Sequence, residues 1–414
     1  MKFTQLKALA LAASLVSIGA QAADTIKIAY LEPLSGGMAN VGEEGAHNFQ
    51  FVIDQLNAAG GALGRKFELV PLDNKLSPQE TLIQLKTIID QKIQYVTQGQ
   101  GSSVAGALIE ALNKHNDRNP DSRVLFLNYA AVDPDLTNSK CSFWHFRLDA
   151  NTDMKMAGLT DQIKKDPAVK KVFLINQDYA HGQQVARAAK DMLKQKRPDI
   201  QIVGDDLHPL AKVKDFSPYI AKIKASGADT VITGNWGNDL SLMIKAGKDA
   251  GLDVTWYTYY ASGPGVMLAV GDAGVGKVKQ IYDWNNNVAN PAMEKFYADF
   301  KKKYPEAKDE FIFYRIKPGL EMLAKAMEQA KSTDPTKVAY ALEGMTYNGT
   351  LGSVTMRKDD HQLLQNMYMF TMDKVGTPGV KLPFEGSPYG LRADVMIPAK
   401  DITLPTTCKM QRPK

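Results

Sequence analysis

From Ile26 onward the chain alternates two kinds of apolar spacing. Short runs rich in β-branched and aromatic residues, IKIAY, FELVPLD, YVTQG and VLFLNYAA, read as strands. Between them, apolar positions recur every three to four residues over 43–58, 78–91 and 103–116, and these stretches read as helices. A second series begins at Val172, with VFLINQ, IQIVGDD, TVITGN and VTWYTYY as strands and helices over 182–196, 216–226 and 239–250. Such alternation predicts βαβ units and parallel sheets, so the fold class is α/β with two similar lobes. The order of elements repeats while the sequences do not, which speaks against a solenoid array.

Ile26, Ile28 and Tyr30 lead into a turn holding Pro33, Ser35, Gly36 and Gly37, and then into a helix with Ala46, Phe49, Val52, Ile53 and Leu56 on its apolar side. The small turn residues are expected to leave the Ser35 hydroxyl and several N–H groups open at the helix start, a place that favours a polar ligand. Gly60 and Gly61 end the helix. A third section contributes three more helical patterns, PAMEKFYADFKKKYP, PGLEMLAKAMEQAKS and PTKVAYALEGM. Beyond Thr377 the chain is rich in Pro and Gly, and this tail is expected to wrap irregularly over the surface.

The first 22 residues place Lys2 and Lys7 before an apolar run that ends at Ala20-Gln21-Ala22, the pattern of a cleavable export signal. No Cys sits at the cleavage point, so the exported protein is expected to be free of a lipid anchor. The chain has 50 basic and 45 acidic residues; setting aside Lys2 and Lys7 leaves 48 against 45. That balance, with no basic block interleaved with aromatics, argues against nucleic acid as a partner. The two cysteines, Cys141 and Cys408, would meet an oxidising compartment. A disulfide pinning the tail is the preferred reading, and two unpaired thiols are the alternative. Six scattered histidines show no metal-ligand spacing, and no metal or other cofactor is expected.

Ligands of open parallel sheets gather beyond the carboxyl ends of the strands. After YVTQG come Gln100-Gly101-Ser102-Ser103 and a helix, so Ser102 and Ser103 fall at a helix start, either as ordinary caps or as carboxylate ligands. Gly99-Gln100-Gly101 and Gly101-Ser102-Ser103-Val104-Ala105 are near misses to a dinucleotide loop and to a nucleophile elbow. In the second series Asp178-Tyr179-Ala180-His181, Asn235-Trp236-Gly237 and Tyr257-Thr258-Tyr259-Tyr260 follow successive strands, and aromatics there suit a pocket that closes over a small ligand.

The segment SGGMANVGEEGAHNFQFVIDQLNAAGGALGRKFELV, with YAHGQQVARAAKDML and SVTMRKDDHQ further on, resembles the periplasmic solute-binding proteins of branched-chain amino-acid (Leu/Ile/Val-binding) ABC importers. The resemblance runs from Ile26 to about Phe370. It implies a type I periplasmic binding protein: two Rossmann-like lobes with parallel sheets, joined by a three-crossing hinge around a ligand cleft. It implies a first lobe of 23–148 plus 280–345, a second of 149–279 plus 346–375, and a tail of 376–414. The implied function is capture of a small amino acid or carboxylate-type ligand by lobe closure, in the periplasm, and its delivery by a monomer to an inner-membrane permease.

By the same resemblance, Ser102 and Ser103 with the loop Tyr129, Ala130 and Val132 would hold the ligand carboxylate, and Tyr179 and Trp236 would wall the pocket. Three positions depart from the pattern. Val132 stands where the family carries a hydroxyl, Val41 where a tyrosine is common, and Tyr260 where amino-acid-binding members place an acid that pairs with the ligand ammonium. An aromatic or aliphatic carboxylate, or an amide, therefore fits at least as well as an amino acid, unless Asp239 turns inward to supply the charge. Two other functions are weighed: a ligand sensor for signalling, and an exported amidase or hydrolase, for which the histidines offer no triad order.

Overall fold

The computed structural model describes residues 24–413; the expected export signal lies outside them. Five strands form an all-parallel first sheet in the order β2-β1-β3-β4-β5: β1 (Ile26–Glu32), β2 (Phe67–Asp73), β3 (Tyr95–Gln98), β4 (Leu125–Asn128) and β5 (His145–Arg147). The connections carry α1 (Ala39–Ala58), α2 (Pro78–Asp90) and α3 (Ser102–Arg118). Alternation along β1 splits its side chains between two cores: Ala29 and Leu31 pack with Leu85, Ile88 and Leu108, while Ile28 and Tyr30 pack with Phe49 and Ile53 of α1.

The register of α1 on β1 is set at two glycines. The Tyr30 hydroxyl donates to the Gly42 carbonyl at 2.7 Å. A Cβ on Gly45 would lie 2.2 Å from that same hydroxyl, so only glycine admits the approach. The helix begins at Ala39, four residues earlier than the apolar spacing suggested. Ser35 is not left open there: its hydroxyl donates to Asp73 at 2.5 Å and the Leu34 N–H does so at 2.9 Å. The expectation of a ligand site at Ser35 is corrected by this carboxylate from the neighbouring strand.

After β5 the chain passes through Leu148–Ala150 into α4 (Thr152–Ile163) and a second sheet. Its elements are β6 (Lys171–Gln177), α5 (Ala180–Lys196), β7 (Gln201–His208), α6 (Ser217–Ser226), β8 (Thr230–Thr233), α7 (Gly237–Asp249), β9 (Thr255–Thr258), α8 (Val266–Val270) and β10 (Val278–Tyr282). It then returns to the first lobe as α9 (Pro291–Lys303), α10 (Ile316–Ala330) and α11 (Pro335–Leu342), with α10 packed on α1 and α11 against β4.

A small antiparallel sheet of β11 (Thr346–Gly349), β12 (Gly352–Met356) and β13 (Leu363–Leu364) follows. The resemblance put 346–375 in the second lobe. Instead, residues 346–364 stay with the first, because β11 packs on α10, the Leu351 N–H donates to the Tyr314 hydroxyl and Gln362 bridges to Arg147. Residues 280–282, assigned to the first lobe, lie in β10 of the second sheet.

The next strands also depart from expectation. β14 (Met367–Lys374) and β15 (Tyr389–Ile397) extend the second sheet antiparallel, giving the order β15-β14-β10-β9-β8-β6-β7. The tail is thus not wholly irregular, since Leu391 and Ile397 of β15 bury apolar side chains. After α12 (Ala399–Ile402), whose Ile402 is buried against second-lobe residues, residues 403–407 run back to the first lobe. There Thr406 donates to the Thr137 carbonyl and Cys408 is bonded to Cys141. The chain therefore passes between lobes four times, once more than expected.

The disulfide closes a loop with a sequence separation of 267, for which chain entropy alone gives about 5.6 kcal/mol of stabilisation as an upper figure. Cys408→Ser is expected to lower the unfolding free energy by about 2 to 4 kcal/mol, read from urea titration of the oxidised protein. An unchanged midpoint would show that the tail adds no constraint.

Candidate functional site

The carboxyl ends of the parallel strands in both sheets face one another, and the loops that leave them line a single cavity. From the first lobe come Gly99–Ser102 after β3 and Ala130 and Val132 after β4. Gly101 adopts a φ of 89°, which turns the chain sharply into α3 and leaves the first N–H groups of that helix free of helical partners. The loop after β4 is folded on Asn128, whose side-chain carbonyl accepts from the N–H groups of Ala130 and Ala131 at 3.2 and 2.8 Å.

The second lobe supplies Tyr179 and His181 after β6, Trp236 and Gly237 after β8, and Tyr260, Ser262, Gly263 and Pro264 after β9. Tyr282, Ile312 and Phe313 close the base beside the crossing, and Val41 closes the front. The cavity leaves about 40 Å³ for the centres of water-sized molecules, within about 510 Å³ of unfilled space counted out to its mouth. That room suits a small solute. The lobes touch at the front, where the Asn238 amide donates to the Gly37 carbonyl at 2.6 Å and Met38 fills the space beside Gly237.

Of the residues singled out in the sequence, Ser102, Ala130, Val132, Tyr179, Trp236 and Tyr260 are brought together around this cavity. Ser103 is not, because one step along the helix turns it out to solvent. The Tyr129 side chain is also elsewhere: fully buried beneath the loop, it accepts from the Gln100 amide at 3.2 Å and lies 3.3 Å from the Tyr30 hydroxyl. Asp239 does not turn inward. It is 1% exposed and accepts from Gln177 at 2.8 Å and from the Ala211 N–H at 2.9 Å.

Sequence reasoning overlooked Gln100, Ser262, Tyr282, Ile312 and Phe313 as lining residues. Ser262 carried a signal, as it sits in the small-residue turn ASGPG directly after a strand. His181, in the first turn of α5, is 1% exposed. Its Nε2–H donates to the Gly234 carbonyl and its Nδ1 accepts from Thr152, both at 3.0 Å. Burial lowers its pKa to about 4, so it is a neutral ring with both nitrogens engaged.

Directly behind Tyr260 and Tyr282 lies a cluster of four fully buried charges. Asp149 accepts from Lys155 at 2.9 Å and pairs with Arg315 at 3.3 Å; Arg315 also donates to Asp283 at 2.8 Å, to the Tyr129 carbonyl at 2.6 Å and to the Tyr282 hydroxyl at 2.9 Å. The Lys155 ammonium sits 5.1 and 5.0 Å from the ring centres of Tyr260 and Tyr282. Burial presses the Lys155 pKa down against the pull of Asp149. The four formal charges cancel.

Comparison with known proteins gives a consistent picture. A family model described as periplasmic binding protein matches residues 25–377. The Leu/Ile/Val-binding protein homolog 4 of Brucella melitensis is 31% identical over 97% of this chain and 96% of that protein. A leucine-, isoleucine-, valine-, threonine- and alanine-binding protein from Brucella ovis, solved in a closed conformation, superposes with a TM-score of 0.84 at 30% identity, covering 94% of this chain and all of that one. A solute-binding protein of an ABC transporter from R. palustris, solved with benzoate, shares the fold with a TM-score of 0.76 at 19% identity, over 93% of this chain and all of that one.

One buried acid ties the cavity loop to the first sheet. Glu32, at the end of β1, accepts from the N–H groups of Gly99 and Gln100. Burial raises its pKa from 4.5 to about 8, against the lowering by Tyr129 and by the Gly99 and Gln100 N–H groups. The fold thus favours the protonated acid, and this contribution is complete below about pH 4.5 and lost as pH rises towards about 8. The thermal midpoint should therefore fall between about pH 5 and 8, and fall less in Glu32→Gln, as calorimetric scans across that range would show. An equal fall in both proteins would remove Glu32 as the source.

Proposed function

The chain belongs to the periplasmic binding protein family, and on that premise we propose that the cavity between its lobes is where it captures its solute. Relatives are named for binding branched-chain amino acids, and a fold neighbour solved with benzoate is a solute-binding protein of an ABC transporter. The chain shares that role: it is a substrate-binding receptor of an ABC import system, taking a small amino acid or carboxylate-type ligand. The family is one of receptors rather than an enzyme class.

The observation that carries the site is the convergence of loops from both sheets on one enclosed space, with Ser102 and an uncapped helix start on one lobe and Tyr179, Trp236 and Tyr260 on the other. The ligand head group meets hydroxyl and N–H donors of the first lobe, and its body is covered by aromatic rings of the second. Neither half encloses it alone, so affinity is tied to closure. The hinge is the set of chain passages, the site of action is the periplasm, and the closed form is handed to a membrane permease.

A thermal-shift screen of amino acids, aliphatic acids, aromatic acids and amides, followed by calorimetry, tests this. At a hundredfold excess over Kd a true ligand should stabilise the fold by about 2.7 kcal/mol. Ser102→Ala and Trp236→Ala should each weaken the binding of that ligand by about tenfold or more. Full affinity in both variants would move the site elsewhere.

A further inference from the structure

We propose that the cavity selects an organic acid that carries no ammonium group: a carboxylate on an apolar or aromatic body. This rests on the reading of the cavity as the solute site. It comes from the direction in which four of the cavity's five hydroxyls are committed, all but that of Tyr260. Ser102 Oγ accepts from the Asp133 N–H at 3.2 Å, the Tyr179 hydroxyl from the Trp236 indole at 2.8 Å, Ser262 Oγ from the Gln280 amide at 2.8 Å, and the Tyr282 hydroxyl from Arg315 at 2.9 Å. Each oxygen already takes an N–H hydrogen, and each keeps its own proton to give.

A wall built this way donates. It suits a ligand whose polar atoms accept, above all a carboxylate, and it offers an ammonium, which has three donors and no acceptor, only the hydroxyls' remaining lone pairs and no negative charge. Among the described residues no Asp, Glu, Lys or Arg lines the cavity. The nearby acids are spent on other partners: Asp239 on Gln177 and Ala211, Glu32 on the backbone of Gly99 and Gln100, and Asp149 on Lys155 and Arg315. Lys155 also lies against the rings of Tyr260 and Tyr282, so their attraction for a cation is already in use. An α-ammonium brought here would be desolvated with no counter-charge.

The test is calorimetry of the exported protein with pairs that differ only in the ammonium: isocaproate with leucine, and hydrocinnamate with phenylalanine, with benzoate as a further acid. In at least one pair the acid should bind and its amino-acid partner should bind about thirtyfold or more weaker. An amino acid that matches or exceeds its desamino partner overturns this inference and leaves the receptor reading standing. Absence of binding by all five compounds, in a protein that unfolds cooperatively, overturns the reading of the cavity and this inference with it. Within the preferred pair, Ser262→Ala should weaken the acid by about threefold or more while Ser353→Ala, away from the cavity, changes nothing; an equal effect of both would deny Ser262 its donor role.

Discussion

The arrangement turns on the buried pairing of Arg315 with Asp149 and Asp283. Asp149 stands in the first passage between lobes, Asp283 in the second, and Arg315 at the start of α10, the second helix after the return to the first lobe. Lys155, from the first helix of the second lobe, completes the balance. Four charges withdrawn from water are tolerable only together, and deletion of one partner from such a set costs about 3–5 kcal/mol. The cluster therefore fixes where the passages cross and keeps them side by side.

The same cluster shapes the cavity. Its hydrogen bonds reach the Tyr129 carbonyl, which holds the first-lobe loop, and the Tyr282 hydroxyl, which forms the base. Charge is thus present just behind the wall but absent from its surface. Aromatic rings stand between the ions and the cavity, and what lines the proposed site is a set of polarised hydroxyls. Specificity in such a site comes from the sense of its hydrogen bonds more than from formal charge.

Much of this was legible in the amino-acid sequence. The alternating periods located the strands and helices of the two parallel series except β5, α4, α8 and β10, because the central strands are covered on two faces and read as apolar runs. The strand ends pointed to six cavity residues. The failures lie where phase or distance decides. Ser102 and Ser103 are neighbours in sequence but point about 100° apart on a helix, and nothing local says which faces inward. Tyr129 and Ala130 differ in the same way at a strand end. Ser35 was misjudged because its partner, Asp73, lies one strand away. β15 was missed because its pairing with β14 slips at Met369/Phe370, and only tertiary contact selects a strand after so much Pro and Gly. The ion cluster unites residues with no shared motif, so no pattern along the chain announces it.

The fourth passage changes the covalent topology. With Cys141 bonded to Cys408, the backbone between them is a ring, and the whole second lobe lies on it. A single cut by a protease anywhere on that ring opens it without separating the molecule into two pieces. The two pieces remain joined through the disulfide, one carrying Cys141 and the other Cys408, so neither is released.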